Sequence, residues 1–373
     1  MRIGYIKKID KVLFLSVAFL IIIGLMAIFS VSYSGGEAAF LNFKKQLLFT
    51  AVGTVLCFLL ASVDYRVIKN YTGVIYVLMC VVLSVVLFLG SSTRGTSSWF
   101  SVGLFGIQPS EFAKAILIVV LAKYFSEVGS SYNLLKKILV SGFYTAIPVA
   151  LVILQPDLGS SLVMIFIWFA MLAVFGLKKK QILLLVFLGV AVSAASWSFV
   201  LKDYQKDRIN TFVNPQSDPL GSGYNVIQSK IAIGSGNIWG KGLGHGSQSQ
   251  LNFLPEKHTD FIFAVIAEEM GLVGGVLVIF LFAVVFYRLF LIAEEAQDNF
   301  GKLIALGTAF MLFFHFLINV GMNMGIMPVT GIPLPFVSYG GSSLIAFMIV
   351  IGIVQSVYIN GRRYRFDKES DTL

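Results

Sequence analysis

The sequence predicts an all-α polytopic membrane protein with ten transmembrane helices, cytoplasmic N- and C-termini and one large extracytoplasmic loop between spans 7 and 8. Three observations predict it. Of 373 residues, 57% are apolar and only 13% charged, with a mean hydropathy of +0.86; soluble chains run at roughly half apolar and a quarter charged. The apolar residues fall in runs of about 20, the length at which a helix crosses a bilayer. Lys and Arg collect on alternate connections between those runs, as the positive-inside rule requires. This composition excludes a water-soluble enzyme, a disordered chain and a nucleic-acid-binding domain. The net charge of +9 reads as loops facing anionic lipid. The 35 Gly suit closely packed membrane helices. Cys57 and Cys80 lie inside apolar runs, and neither a disulfide framework nor a metal-ligand spacing follows from them.

The ten runs are 12–33, 45–63, 71–90, 109–125, 138–154, 158–176, 181–201, 260–288, 303–325 and 342–360. Arg2, Lys7, Lys8 and Lys11 resemble the start of a signal peptide, but the run that follows is too long for one and another span comes next, so the first helix is expected to stay uncleaved. With the N-terminus inside, the inner segments carry eighteen basic residues and the short outer ones only Lys44, Lys45 and Arg94. One membrane domain is expected over 1–373, with 202–259 as a structured extracytoplasmic loop and 366–373 as a flexible cytoplasmic tail. Within the loop, Tyr224–Ile233 sets Val226, Ile227, Ile231 and Ile233 against Gln228 and Lys230. It reads as an amphipathic helix, either lying at the outer interface or capping the bundle.

With this orientation, four polar clusters face the same leaflet. Gln108-Pro109-Ser110-Glu111 and Lys114 open span 4, where Pro109 suits a first helical turn. Gln155-Pro156-Asp157 turns between spans 5 and 6. Pro255 to Asp260 opens span 8, and 326–343, with Pro328, Pro333, Pro335, Gly340 and Gly341, forms the last outer loop. Such a backbone is not helical throughout, and at membrane depth it is allowed only inside protein or along a cavity, so re-entrant structure is expected. Ionisable groups in a bilayer are costly and each needs a reason. Glu111 and Lys114, three apart, can neutralise one another or serve a ligand. Asp157 can cap span 6. Asp260, beside His258 and Thr259 in the first turn of span 8, is the leading candidate; about 100° per residue puts Glu268 some 80° round from it and Glu269 opposite. Glu268 is therefore expected on the same cavity. His315, alone in span 9, reads as a packing residue.

Nucleotide chemistry is absent. Gly236–Gly242 (GNIWGKG) lacks the spacing and the Ser/Thr of a phosphate loop, and no GxGxxG after a strand or HExxH occurs. A substrate met at the outer face must arrive pre-activated, most simply as a lipid-linked molecule.

Together the clusters resemble the SEDS family (shape, elongation, division and sporulation). The resemblance covers nearly the whole chain. It is carried by Gln108–Lys114 (QPSEFAK), Gln155–Ser160 (QPDLGS), Gly221–Tyr224 running into Gln228–Gly234, Phe253–Phe263 (FLPEKHTDFIF), Ala267–Gly271 and Gly331–Ser342 (GIPLPFVSYGGS). The stretch Pro255–Asp260 after Ser247-Gln-Ser-Gln250 is more like the elongation members than the division members. One departure is Ser98 before Trp99, where members usually carry a basic residue; Arg94 stands nearby.

The resemblance implies a peptidoglycan glycosyltransferase in the bacterial cytoplasmic membrane. It would polymerise lipid II, a disaccharide–pentapeptide on undecaprenyl pyrophosphate, during cell elongation and rod-shape maintenance. The implied partners are a class B penicillin-binding protein, the crosslinking transpeptidase, and other elongation-complex membrane proteins. The family's key aspartate falls on Asp260, a general base for the acceptor hydroxyl. Around it Gln108, Glu111, Lys114, Asp157, Arg208, Lys230, His258, Glu268 and Ser338 are the expected substrate-binding set. No cofactor is firmly implied: Lys114, Arg208 and Lys230 can offset the pyrophosphate, or a divalent cation, Mg or Mn, does so. Two rival classes remain open, a lipid II flippase and a scaffold for the transpeptidase.

Overall fold

The computed structural model describes residues 8–34, 36–93, 96–102, 105–128, 134–175, 177–199, 203–214, 216, 222–251 and 253–370. Arg94, Ser217 to Gly221 and the last three residues lie outside the described residues. The order is α1 (Lys11–Ser34), α2 (Gly36–Ser62), α3 (Tyr65–Leu89), β1 (Ser91–Thr93), β2 (Thr96–Val102), β3 (Phe105–Ile107), α4 (Pro109–Val128), α5 (Leu134–Leu154), α6 (Leu158–Val174) and α7 (Lys179–Phe199). Then come α8 (Asp203–Val213), α9 (Ser222–Ser235), α10 (Ser247–Gln250), α11 (Ile262–Glu294), α12 (Asn299–Asn323) and α13 (Gly341–Ser370).

Seven of these helices are long and apolar enough to cross a membrane: α1, α2 from Phe40, α3, α5, α11, α12 and α13 as far as Gly361. They coincide with seven of the ten expected spans. Two of the other three have a physical reason for falling short: α4 carries Glu111, Lys114, Lys123 and Glu127, and α6 has 17 residues. α7, of 21 residues, is apolar after its two opening lysines and lies on the expected run 181–201. The expectation of a purely helical chain needs one amendment. Strands β1, β2 and β3 form a small antiparallel sheet in the order β1-β2-β3, pairing Phe100 with Ile107. Thr96, Trp99 and Phe100 suit a strand, but the run is too short to stand out in a hydropathy profile.

Four helices start at an aspartate that accepts a main-chain N–H: Asp10 from Leu13, Asp64 from Arg66, Asp157 from Ser160 and Asp298 from Gly301. Each satisfies a donor that the first turn leaves open. At the α1 start, Asp10 also meets Arg288 and Gln355, tying α1 to α11 and α13. One continuous apolar core joins α1, α4, α6, α11, α12 and α13, with Leu20, Leu117, Ile167, Phe282, Leu312 and Val354 buried. Exposed apolar side chains such as Phe88, Leu183 and Val74 cover the outside, as lipid-facing helices require. In the loop, α9 buries Val226 and Ala232 and leaves Ile231 exposed, an amphipathic helix laid on the bundle.

α11 is broken. Gly271 has φ 67° and ψ −163°, a conformation essentially reserved for glycine. The helical ladder fails there, and residues 236–242 replace it. The Lys241 and Gly242 amides donate to the Glu268 and Glu269 carbonyls at 3.0 Å, and the Leu272 and Val273 amides donate to Asn237 and Ile238 at 2.8 and 3.2 Å. The glycine-rich GNIWGKG segment is therefore a plug for a helix break, which is how irregular backbone survives in a membrane protein. Gly240, at φ 81°, lies so close that a Cβ would stand 2.1 Å from the Glu269 carbonyl oxygen. Gly240→Ala is expected to cost about 1–3 kcal/mol in backbone strain alone, with the clash on top. Folded yield by size-exclusion chromatography in detergent checks it; a wild-type yield would show that the plug tolerates displacement.

Candidate functional site

Asp260 precedes the helix rather than sitting in its first turn. α11 begins at Ile262 and its N-cap is Phe261, whose side chain supplies no cap hydrogen bond. The cap comes from another helix: Asn323 of α12 accepts from the Ala264 amide through Oδ1 at 3.0 Å. The Nδ2 atoms of Asn319 and Asn323 donate to the Asp260 main-chain oxygen at 3.0 and 2.9 Å. Asn319 Nδ2 also reaches the Ile332 carbonyl at 2.8 Å. Sequence reasoning missed both asparagines. Their four-residue spacing, which puts them on one face of α12, is the signal that could have found them.

The loop after α12 clamps the same turn. Ser338 Oγ donates to the Thr259 carbonyl at 2.6 Å and accepts from the Leu334 amide, and the Tyr339 amide donates to the His258 carbonyl at 2.8 Å. Gln46 of α2 ties down Ser338 and Gly340 from behind. As expected of a re-entrant segment, 326–340 is not helical, and it buries Ile332, Leu334, Phe336 and Val337. It runs against α1 so closely that a Cβ on Gly24 would lie 2.4 Å from the Val337 oxygen. Burial raises the Tyr339 phenol above its usual range. Gly331, at φ 77°, faces the Asp260 carboxylate; a Cβ there would stand 3.5 Å from Oδ2.

Two further motifs reach this loop. Asp157 Oδ2 accepts from Gln108 Nε2 at 3.1 Å and Ser110 Oγ at 3.2 Å, while Oδ1 caps α6, so the QPS and QPD motifs hold each other. Gly159 lies under the Thr330 carbonyl, which the exposed Arg208 approaches at 3.5 Å through Nη1. Lys230, also exposed, lays its side chain over Gly325. Asp260, His258, Asp157, Gln108, Arg208 and Ser338 thus gather on or around residues 325–340.

Glu111 and Lys114 pair deep in the bundle at 2.7 Å, both nearly inaccessible. Lys114 Nζ also lies 3.2 Å from His315 Nε2, and His315 Nδ1 lies 3.3 Å from the Pro333 carbonyl. A carbonyl only accepts and an ammonium only donates, so the geometry assigns a neutral imidazole with its proton on Nδ1. His315 is thus more than packing; it links the ion pair to the loop.

Glu268 is not brought to Asp260. The 80° argument assumed one continuous helix through both residues, and the helix begins after Asp260. Glu268 is instead fully buried against residues 241–249, accepting from Lys241 Nζ at 2.9 Å and from the Gln248 and Ser249 amides. Lys257 donates to the Ser249 carbonyl; burial lowers its ammonium pKa, opposed by the Glu269 charge. Among the described residues no three His, Cys, Asp or Glu side chains converge on a metal position.

The fold and site define a polytopic membrane protein whose end-facing aspartate is seated by a re-entrant loop beside a broken helix. The chain belongs to the FtsW, RodA and SpoVE family described as "Cell cycle protein", whose model matches residues 10–363, the SEDS family read from the motifs. It is 41% identical to peptidoglycan glycosyltransferase MrdB of Escherichia coli (strain K12) over 83% of each chain. It is 35% identical to peptidoglycan glycosyltransferase RodA of Treponema pallidum, over 96% of this chain and 99% of that one. Among solved structures, a chain described under "Structural coordination of polymerization and crosslinking by a peptidoglycan synthase complex" superposes with a TM-score of 0.81 at 34% identity, covering 95% of this chain and 98% of that one. The rod shape determining protein RodA of Thermus thermophilus gives 0.70 at 29%, covering 94% and 96%.

Proposed function

We propose that the protein is a peptidoglycan glycosyltransferase that polymerises lipid II on the outer face of the bacterial cytoplasmic membrane during elongation, with Asp260 as general base. The observation that carries this reading is the seating of Asp260, a half-buried residue whose carboxylate faces Gly331 on a turn held from α12 and from the 334–340 loop. The relatives named peptidoglycan glycosyltransferases supply the reaction class.

In that reaction the acceptor sugar hydroxyl gives its proton to the Asp260 carboxylate while its oxygen attacks the donor's anomeric carbon. The bond from that carbon to the pyrophosphate oxygen breaks, and undecaprenyl pyrophosphate departs. Direct displacement inverts the carbon and needs no second, nucleophilic carboxylate. A positioned base contributes about 10²–10⁴-fold. Arg208 and Lys230 are the exposed cations for the leaving pyrophosphate. Gln108, Asp157, His258 and Ser338 frame the acceptor side, and Glu111 and Lys114 support the loop from inside. Glu268, buried elsewhere, is assigned to holding residues 241–249. Among the described residues no cluster of side chains forms a site for Mg or Mn, so the pyrophosphate would itself have to complete one.

The proposal includes ten spans with both termini cytoplasmic, α4, α6 and α7 completing the seven. It also includes a class B penicillin-binding protein as partner, which the synthase-complex structure supports, together with other membrane proteins of an elongation complex. The orientation has its own check. A cysteine replacing the exposed Gln216 is expected to react with an impermeant maleimide in intact spheroplasts, and one replacing the exposed Lys179 only after lysis. The reverse pattern would turn the site to the inner face.

The flippase reading has less support, because the broken helix spends its free backbone groups on residues 236–242 rather than offering them to a passing substrate. The two readings part in detergent, where a flippase has no sides to work between. The purified chain with its transpeptidase is expected to make long glycan from lipid II there; no polymer would remove the enzyme reading.

A further inference from the structure

We infer that Asn319 and Asn323 are positioning residues for the glycosyl transfer, fixing where Asp260 points by holding its peptide and the start of α11 from α12. The inference rests on the proposed role of Asp260 as base.

The hydrogen bonds account for every polar atom of the two amide groups. Both side chains are fully buried, so each donor needs a partner. The two hydrogens of Asn319 Nδ2 go to the Asp260 and Ile332 carbonyls, and those of Asn323 Nδ2 go to the Asp260 and Asn319 carbonyls. Asn323 Oδ1 takes the Ala264 amide, which the Phe261 carbonyl also accepts at 3.1 Å and which the Phe261 side chain cannot cap. Asn319 Oδ1 lies 3.4 Å from Asn323 Nδ2. Two donors thus saturate one carbonyl oxygen, that of the residue bearing the proposed base.

The geometry explains why main-chain fixing is needed here. Asp260 stands outside the helix, so the α-helical ladder does not set its φ and ψ. Its amide bonds to the Glu256 carbonyl, and Glu256 itself has φ 51°. The turn is held instead from two sides, by α12 through the asparagines and by the loop through Ser338 and Tyr339. Asn319 also joins those sides, since it bonds Ile332 next to Gly331, the residue facing the Asp260 carboxylate. A base displaced by about 1 Å can lose about 10²-fold in rate while the substrate still binds.

Aspartate at these positions is the sharpest test, because it keeps the shape and replaces an NH₂ with an oxygen aimed at two carbonyls. The experiment compares wild type, Asp260→Ala, Asn319→Ala, Asn319→Asp and Asn323→Ala as detergent-purified full chains with the transpeptidase partner. It measures the initial polymerisation rate against lipid II concentration, and hydrogen–deuterium exchange of the peptide covering 258–264. The expected result is a kcat at least about 10-fold lower in each asparagine variant, with Asn319→Asp no better than Asn319→Ala. KM should stay within about 3-fold of wild type and exchange at 258–264 should quicken, while melting temperatures permit the assay. If Asp260→Ala is dead and the asparagine variants turn over at the wild-type rate, the positioning inference is overturned and the base assignment stands. A fall in kcat with unchanged exchange at 258–264 also overturns it. If Asp260→Ala polymerises normally, the base assignment fails, and the inference with it.

Discussion

Asp260→Ala and Asp260→Asn are expected to abolish glycan polymerisation by the purified chain while leaving the protein folded and bound to its transpeptidase. The expected loss is about 10²–10⁴-fold, the usual worth of a positioned base. Stability should survive for a structural reason. Asp260 is not the cap of α11, and the hydrogen bonds from Asn319 and Asn323 reach its main-chain oxygen, which substitution keeps. Gel analysis of the glycan product and a melting curve on the same preparation check both halves. An Asp260→Ala protein as active as wild type would place the chemistry elsewhere, and Asp157, on the neighbouring α6 terminus, would be examined next.

Lys114→Ala is expected to be the most damaging single change to the fold among the site residues. It leaves the Glu111 carboxylate buried with no cation and removes the donor to His315, which in turn holds the Pro333 carbonyl. Stranding one member of a buried ion pair costs about 3–5 kcal/mol, a large share of a typical net stability of about 5–15 kcal/mol. Loss of folded protein, read by thermal unfolding in detergent, is the expected outcome. Glu111→Gln/Lys114→Met, which removes both charges at similar volume, should recover much of that stability. Full activity in the double variant would make the pair purely structural. Stable but inactive protein would show that the chain of contacts from Lys114 through His315 to the loop serves catalysis.

The helices were legible because burial in lipid leaves a long, unambiguous hydrophobic signal, and α1, α6 and α7 fall within about two residues of their runs, while α3 starts six residues before its own. Whether α4 and α6 cross was less legible, because α4 mixes apolar residues with charge and α6 is short. The site was legible as a set of polar clusters, and the structure brings the QPS, QPD and HTD segments and the 330–340 loop together. What the sequence concealed was connectivity. Glu268 looked like a neighbour of Asp260 because helical geometry was carried through a boundary at Phe261 that no residue announces; Phe261 is not a capping residue, and its cap arrives from Asn323, 62 positions away. GNIWGKG looked like a failed phosphate loop because its glycines answer to the α11 backbone, a contact visible only in three dimensions. His315 looked like packing because its two partners, Lys114 and Pro333, lie on other elements.

The central claim is that the Asp260 carboxylate takes the acceptor proton, rather than merely binding substrate. The direct measurement uses a photo-crosslinkable lipid II on Asp260→Asn and wild type, scoring crosslinked enzyme and polymer in the same sample. If Asp260 is the base, the variant is labelled as strongly as wild type and makes no polymer. If labelling disappears together with polymer, Asp260 holds the substrate, and if polymer forms at the wild-type rate it does neither; either result contradicts the account.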